Sequence, residues 1–246
     1  MLLAHLSDLH LGKSDKHRTM ALALRDALLR SNVDHAIVTG DITEHGLSAE
    51  FDLFKNIFAE LYRAGRVSLV PGNHDRLNDE AAKRMMRDRI ELTKLPGFSL
   101  ISVDTTGPHN RWRYAGHGKL DDGLIGRIIS LAKEAAATDF VAVAMHHHLL
   151  PLPEDLWLEW FSDIFRLPFA AELKRGRDLL DKLQGYCDSV LHGHRHASTE
   201  KQFTSQGRGL TLYNAGSSTK IGRFRLFDIQ KGRLTGPPTW IETKAA

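Results

Sequence analysis

Read from the N-terminus, short apolar runs alternate with longer amphipathic stretches. Residues 2–6 form a strand-like run that ends in Ser7-Asp8-Leu9-His10, and a helical pattern follows at about residues 19–29. The unit then repeats. Residues 36–39 end in Gly40-Asp41 and precede a long helical pattern at about 48–63. Residues 67–70 run into the turn-rich Pro71-Gly72-Asn73-His74-Asp75, with a charged helix predicted near 79–90. Three such alternations in a row predict an α/β sheet. Farther on, residues 98–103 read as a strand, and 121–137 as a helix with an apolar stripe of Leu124, Ile128, Leu131 and Ala135. Residues 141–145 form a strand ending in His146-His147-His148, and after an insertion a helix near 171–183 leads to the strand 189–191. That strand ends in His192-Gly193-His194-Arg195-His196.

From residue 202 onward the texture changes to short alternating segments at 209–213, 223–229 and 239–243, separated by Gly and Pro, which predicts an antiparallel β layer. No repeat, low-complexity tract or linker forces a boundary. One domain over residues 1–246 is expected, with an apolar helical insertion at about 149–170 and a β-rich part from about 197.

Composition adds three constraints. With 42% apolar residues the chain can bury a substantial core. The 33 Lys plus Arg against 30 Asp plus Glu leave a net charge of only +3, and the basic residues are scattered, so there is no strong nucleic-acid signal. A single cysteine, Cys187, excludes an internal disulfide and reads as a small buried side chain at a strand start. The N-terminus meets Asp8 after a short apolar stretch, unlike a signal peptide, and no run reaches the roughly 18 apolar residues of a spanning helix. A cytoplasmic location is the resulting expectation.

Histidine is the outlier. Of 14, eight (His10, His74, His146, His147, His148, His192, His194 and His196) cluster just after strand-like runs. In α/β sheets the carboxyl ends of the strands converge on one crevice. Here five strands deliver to it Asp8 and His10, then Asp41, then Asn73 and His74, then His146, then His194 and His196. Singly, each has an ordinary explanation: a cap, a turn former, a surface histidine. Turn chemistry does not explain why all five strands end this way. One metal needs three or more protein ligands, so a set of this size points to two ions sharing a carboxylate. Imidazole, carboxylate and amide oxygen without thiolate suit Mn²⁺, Fe²⁺/Fe³⁺ or Zn²⁺.

Taken in order, Asp8-x-His10, Gly40-Asp41, Gly72-Asn73-His74-Asp75, His146 after a strand, and Gly193-His194-x-His196 resemble the motif series of the calcineurin-like metallophosphoesterases. The match spans residues 8 to 196, and the five motifs together are far more specific than any one alone. The resemblance implies a four-layer α/β/β/α sandwich of two mixed sheets. It also implies one metal on Asp8, His10 and His196, a second on Asn73, His146 and His194, and Asp41 as the bridge. His74 would hold a phosphate oxygen and protonate the leaving oxygen. Asp75 shapes the turn or orients His74. Two ambiguities remain at this level. The alternation of 192, 194 and 196 would let a different histidine pair bind, and in the triplet His146 is preferred because it comes first, leaving His147 and His148 behind the ligands or at the rim.

Within the family, the Ser7-Asp8-Leu9-His10 opening and compact length look most like bacterial class III cyclic nucleotide phosphodiesterases, which implies a small phosphodiester or nucleotide substrate. Related groups cleave the pyrophosphate of a UDP-linked lipid A precursor or act as DNA nucleases. A protein-binding scaffold on the same fold is disfavoured, since every ligand position is present. In the insertion, Leu156, Trp157, Trp160, Phe161, Ile164 and Phe165 form one helical stripe. It reads as core packing, a homodimer contact or a lid. The acidic opposite face of that helix argues against an anionic membrane surface.

Overall fold

A computed structural model describes residues 1–78, 80–112, 115–150, 173–204 and 208–243. In chain order the elements are β1 (Leu2–Leu6), α1 (Asp15–Arg30), β2 (His35–Thr39), α2 (Ser48–Ile57), α3 (Ala59–Arg63), β3 (Val67–Val70), α4 (Ala82–Met85), β4 (Ile90–Leu95) and β5 (Phe98–Val103). They continue with β6 (Gly118–Lys119), α5 (Asp122–Ala135), β7 (Phe140–Ala144), β8 (Leu173–Lys174), α6 (Gly176–Leu183), β9 (Ser189–His192), β10 (Glu200–Phe203) and β11 (Leu210–Asn214). Last come α7 (Ser218–Ile221), β12 (Arg223–Gln230), β13 (Arg233–Leu234) and β14 (Thr239–Glu242). The predicted insertion lies, from residue 151 on, outside the described residues.

Two mixed sheets form the frame. One runs β13-β12-β1-β2-β3, with β14 also on β12, and the other runs β10-β11-β9-β7-β5-β4. Strands β1, β2 and β3 are mutually parallel, as are β5, β7, β9 and β11, so within each sheet the carboxyl ends share one edge.

Strict alternation within the apolar runs builds the layers. In β7, Phe140, Ala142 and Ala144 join a core that also holds Leu3, Ile37, Leu100 and Phe227, the core between the sheets. Val141, Val143 and Met145 face the other way, onto Ile125, Ile128 and Leu179 of α5 and α6. A third core packs Ala4, Leu6 and Val38 against Leu24, Leu28, Phe51 and Phe54 of α1 and α2. Three cores between four layers make the α/β/β/α sandwich, and strands buried on both faces explain runs that are apolar throughout.

The structure corrects the sequence reading in three places. The helix predicted at 79–90 is only the single turn α4. Met86 leaves the helix for extended backbone (φ −130°, ψ 141°), and residues 90–95 alternate and pair antiparallel with β5 through the turn at Gly97, whose φ is 70°. The helix predicted at 48–63 breaks at Phe58 (φ −97°, ψ 27°), whose ring packs 4.9 Å from that of Phe54. The C-terminal strands do not form one antiparallel layer. β10 and β11 extend the second sheet, β11 parallel to β9, while β12 pairs antiparallel with β1 in the first. Among the described residues no helix is long and apolar enough to cross a membrane.

Candidate metal centre

Every strand end singled out in the sequence arrives at one rim. Asp8 and His10 follow β1, Asp41 follows β2, Asn73 and His74 follow β3, His146 follows β7, and His194 and His196 follow β9. The backbone there is unusual. Asp8, His10, Asp41, His194 and His196 take φ of 54°, 48°, 48°, 75° and 53°, and they are five of the eight non-glycine residues with positive φ among those described. Such conformations cost of order 1–3 kcal/mol each and persist where surrounding contacts over-determine them.

Those contacts are specific. Asp8 Oδ2 accepts the His194 amide at 3.0 Å, and Asp41 Oδ1 accepts the His74 amide at 2.8 Å. The buried Asp75 carboxylate ties two strand ends together, accepting the amides of Gly72 and Thr43 at 2.8 Å each and the Thr43 hydroxyl at 2.7 Å. Burial, with the nearby Asp41 charge, raises its pKa to about 6. Ser217 Oγ donates to the Asp8 carbonyl at 2.9 Å, Thr219 Oγ1 to that of Leu9 at 3.0 Å, and Asn214 Nδ2 to that of Gly193 at 3.0 Å.

Among the described residues three donor groups result, each with ligand atoms within 4.8 Å of one another: Asp8, His10 and His196; His10, Asp41 and His74; and Asp41, His146 and His194. His10 Nε2 lies 3.1 Å from His196 Nε2, which is 3.2 Å from Asp8 Oδ1. His146 Nε2 lies 3.2 Å from both His194 Nδ1 and Asn73 Oδ1. Ligands about 2.1 Å from a common ion stand roughly 3.0–3.4 Å apart, so these separations suit a metal. Asp41 connects the groups, with Oδ1 3.5 Å from His146 Nε2 and Oδ2 3.9 Å from His10 Nε2. Asp8 is fully buried, with Oδ1 facing His196 Nε2, a separation that suits a cation held between them.

Without metal the charges balance through protons. Burial opposes ionisation of Asp41, yet His146, His74 and His10 hold its pKa well below the usual carboxylate range. Burial likewise penalises the His146 cation, and Asp41 and Asp8 overcome it, raising the pKa to about 9. His194 is pushed down to about 3 by burial and by the neighbouring His146 charge.

Glu44 was not singled out in the sequence. Its Oε2 stands 2.9 Å from His10 Nδ1, its backbone carbonyl accepts from His74 Nδ1 at 2.9 Å, and its only sequence signal is a carboxylate three residues after Asp41. The ambiguous histidines separate clearly. His146 Nδ1 donates to the Thr39 carbonyl at 2.7 Å, so Nε2 faces the cluster. His147 is bound on both nitrogens, by Thr105 Oγ1 at 2.7 Å and the Gly116 carbonyl at 2.8 Å. The rings of His148 and His192 lie 6.1 Å apart, and neither belongs to a donor group among the described residues.

Comparison with known proteins agrees with this geometry. The family model for calcineurin-like phosphoesterases matches residues 1–198. The 3′,5′-cyclic adenosine monophosphate phosphodiesterase CpdA of Pseudomonas aeruginosa is 25% identical over 214 residues, 82% of this chain and 72% of that protein. A dimetal phosphatase from Danio rerio superimposes with a TM-score of 0.67 at 13% identity, covering 99% of both chains. The protein TT1561 of Thermus thermophilus gives 0.59 at 12% identity, again over 99% of each. At these identities the superpositions establish the fold.

Proposed function

This chain belongs to the calcineurin-like phosphoesterase family and is a metal-dependent phosphoesterase, and on that premise we propose that it hydrolyses small phosphodiesters of the nucleotide class at a centre of two metal ions. The observation that carries the reading is Asp41, one buried carboxylate whose two oxygens face different donor groups. Asp8, His10 and His196 would hold one ion, Asn73, His146 and His194 the other, and Asp41 would bridge them. The donor set suits Mn²⁺, Fe²⁺/Fe³⁺ or Zn²⁺. When bound, such a pair acidifies the attacking water and neutralises phosphate charge. The phosphodiester reading takes its support from the similarity to CpdA, a cyclic nucleotide phosphodiesterase.

The remaining work falls to the chain. His74 Nδ1 is committed to the Glu44 carbonyl, which orients the ring and leaves Nε2 as its working nitrogen. That nitrogen would hold a phosphate oxygen and protonate the departing one. Asn73, through Oδ1, would ligate, and its amide group would stand beside the phosphate.

Metal analysis of the purified protein, with hydrolysis of cyclic nucleotides and bis(4-nitrophenyl) phosphate, tests the proposal. Two ions per chain and diester hydrolysis are expected in the native protein. Asp41→Asn should lose both, because a neutral amide leaves two cations repelling each other. Native turnover with two metals in Asp41→Asn would refute the bridge.

A further inference from the structure

A cavity of about 190 Å³ is lined by Arg76, Arg89, Asp104, Thr106, Gly107 and Arg111. Pockets for drug-sized ligands run roughly 300–1,000 Å³, so this one suits a single compact group rather than a whole substrate arm. Its lining sets three guanidinium groups against one carboxylate. That carboxylate is already engaged, since Asp104 pairs with Arg76 Nη2 and accepts the Thr106 amide at 2.8 Å. Arg89 directs Nε and Nη2 to the neutral carbonyl of Asp104 at 3.3 and 3.1 Å, and its carboxylate partner Asp121 is 3.7 Å away and two-thirds exposed. Neutral acceptors orient a guanidinium without cancelling its charge.

The cavity is joined to the metal centre twice. Arg76 belongs to the 3-10 turn His74–Arg76, two residues from the proposed proton donor. The segment after β5, which supplies Asp104, Thr106, Gly107 and Arg111, continues to Gly116, where an added Cβ would sit 3.6 Å from His194 and 3.8 Å from Asn73. Planar guanidinium groups bind phosphate bidentately, which matches the size and charge of the cavity.

We infer that this arginine cavity is an anion subsite that takes a second phosphate group, carried on one arm of the phosphodiester substrate. The inference rests on the phosphodiesterase reading for its catalytic consequence, although phosphate binding itself does not. The test compares bis(4-nitrophenyl) phosphate with the same diester bearing a phosphonate on one ring, in the native protein and in Arg89→Gln and Arg111→Gln. Arg89→Lys serves as the charge-retaining control. Both Gln variants should lose tenfold or more in kcat/KM on the phosphonate-bearing diester, stay within about twofold on the parent diester, and recover part of the loss in Arg89→Lys.

Calorimetric titration of inorganic phosphate into chelator-treated protein gives a readout free of catalysis, with a tenfold or greater weakening expected in both Gln variants. Equal losses on both diesters would mean that the arginines only brace the loop, and would overturn the subsite. Phosphate binding that neither variant weakens would overturn it as well. If the native protein cleaves neither diester, the phosphodiesterase reading fails by itself and the phosphate titration alone decides the subsite.

Discussion

Adding one methyl group at Gly72 strikes the proposed bridge without removing a ligand. An ideal Cβ there would lie 2.2 Å from Asp41 Oδ1 and 2.4 Å from the Asp41 amide nitrogen, about 1 Å or more inside ordinary contact. Asp41 has little room to yield. Its φ of 48° is already strained, its Oδ1 holds the His74 amide, and the Gly72 amide is itself tied to Asp75. Overpacking of this kind costs roughly 1–3 kcal/mol. For a chain of this size that corresponds to a fall in Tm of about 2–12 °C. Displacing a catalytic group by about 1 Å can cost 10²-fold in rate, so Gly72→Ala should lose about two orders of magnitude in kcat/KM together with metal content.

The control is the same methyl elsewhere. Gly126 is an exposed position inside α5 with nothing within 4 Å of its added Cβ. There Gly→Ala relieves unfolded-chain entropy and should stabilise by roughly 0.4–1 kcal/mol with unchanged activity. Thermal unfolding, metal analysis and diester kinetics on the two variants decide the matter. A Gly72→Ala protein with both metals and kcat/KM within threefold of native would show that the Asp41 and Gly72 loops are not rigidly held, and the reasoning would fall.

His74→Ala should keep its metals, lose about 10²- to 10⁴-fold on an alkyl or ribose diester whose leaving oxygen needs a proton, and lose far less on a nitrophenyl diester. Equal losses on both would withdraw the proton-donor role. Glu44→Gln removes the carboxylate that orients His10 through the 2.9 Å contact, and a 10- to 100-fold fall in metal affinity or activity is expected by metal titration and kinetics. Unchanged affinity and activity would leave Glu44 a structural residue only. In the metal-free protein the His146 pKa is raised from its ordinary 6.5 to about 9, so its contribution to stability is full below about pH 6.5 and is lost as pH rises through about 9. The same proton must leave before a metal binds, so metal affinity should increase with pH up to about 9 and binding at pH 7.5 should release protons, measurable by calorimetry in buffers of different ionisation enthalpy. Binding without proton release would contradict it.

Much of the site could be read from the chain because it follows the strands. Apolar runs buried on both faces announce parallel strands, and in such sheets the residues just past each carboxyl end must meet at one rim. Asp8, Asp41, Asn73 and His146 could therefore be placed at that rim from their positions alone. The choice among His192, His194 and His196 could not be made that way, because counting by twos presumes an extended backbone. β9 ends at His192, and His194 and His196 have left-handed φ of 75° and 53°; His196 meets Asp8 and His10, while His194 meets His146 and Asp41. Supporting contacts were equally hidden. Glu44 acts on His10 from 34 residues away, and Ser217 and Asn214 brace Asp8 and Gly193 from 209 and 21 residues away. Nothing in local pattern encodes such pairs, since the first exists only once β1 lies beside β2, and the others only once β11 lies beside β9 and the two sheets have packed. The edge strand β4 escaped for a related reason: its half-polar alternation among charged residues reads as either helix or strand until β5 supplies the hydrogen-bonding partner that decides it.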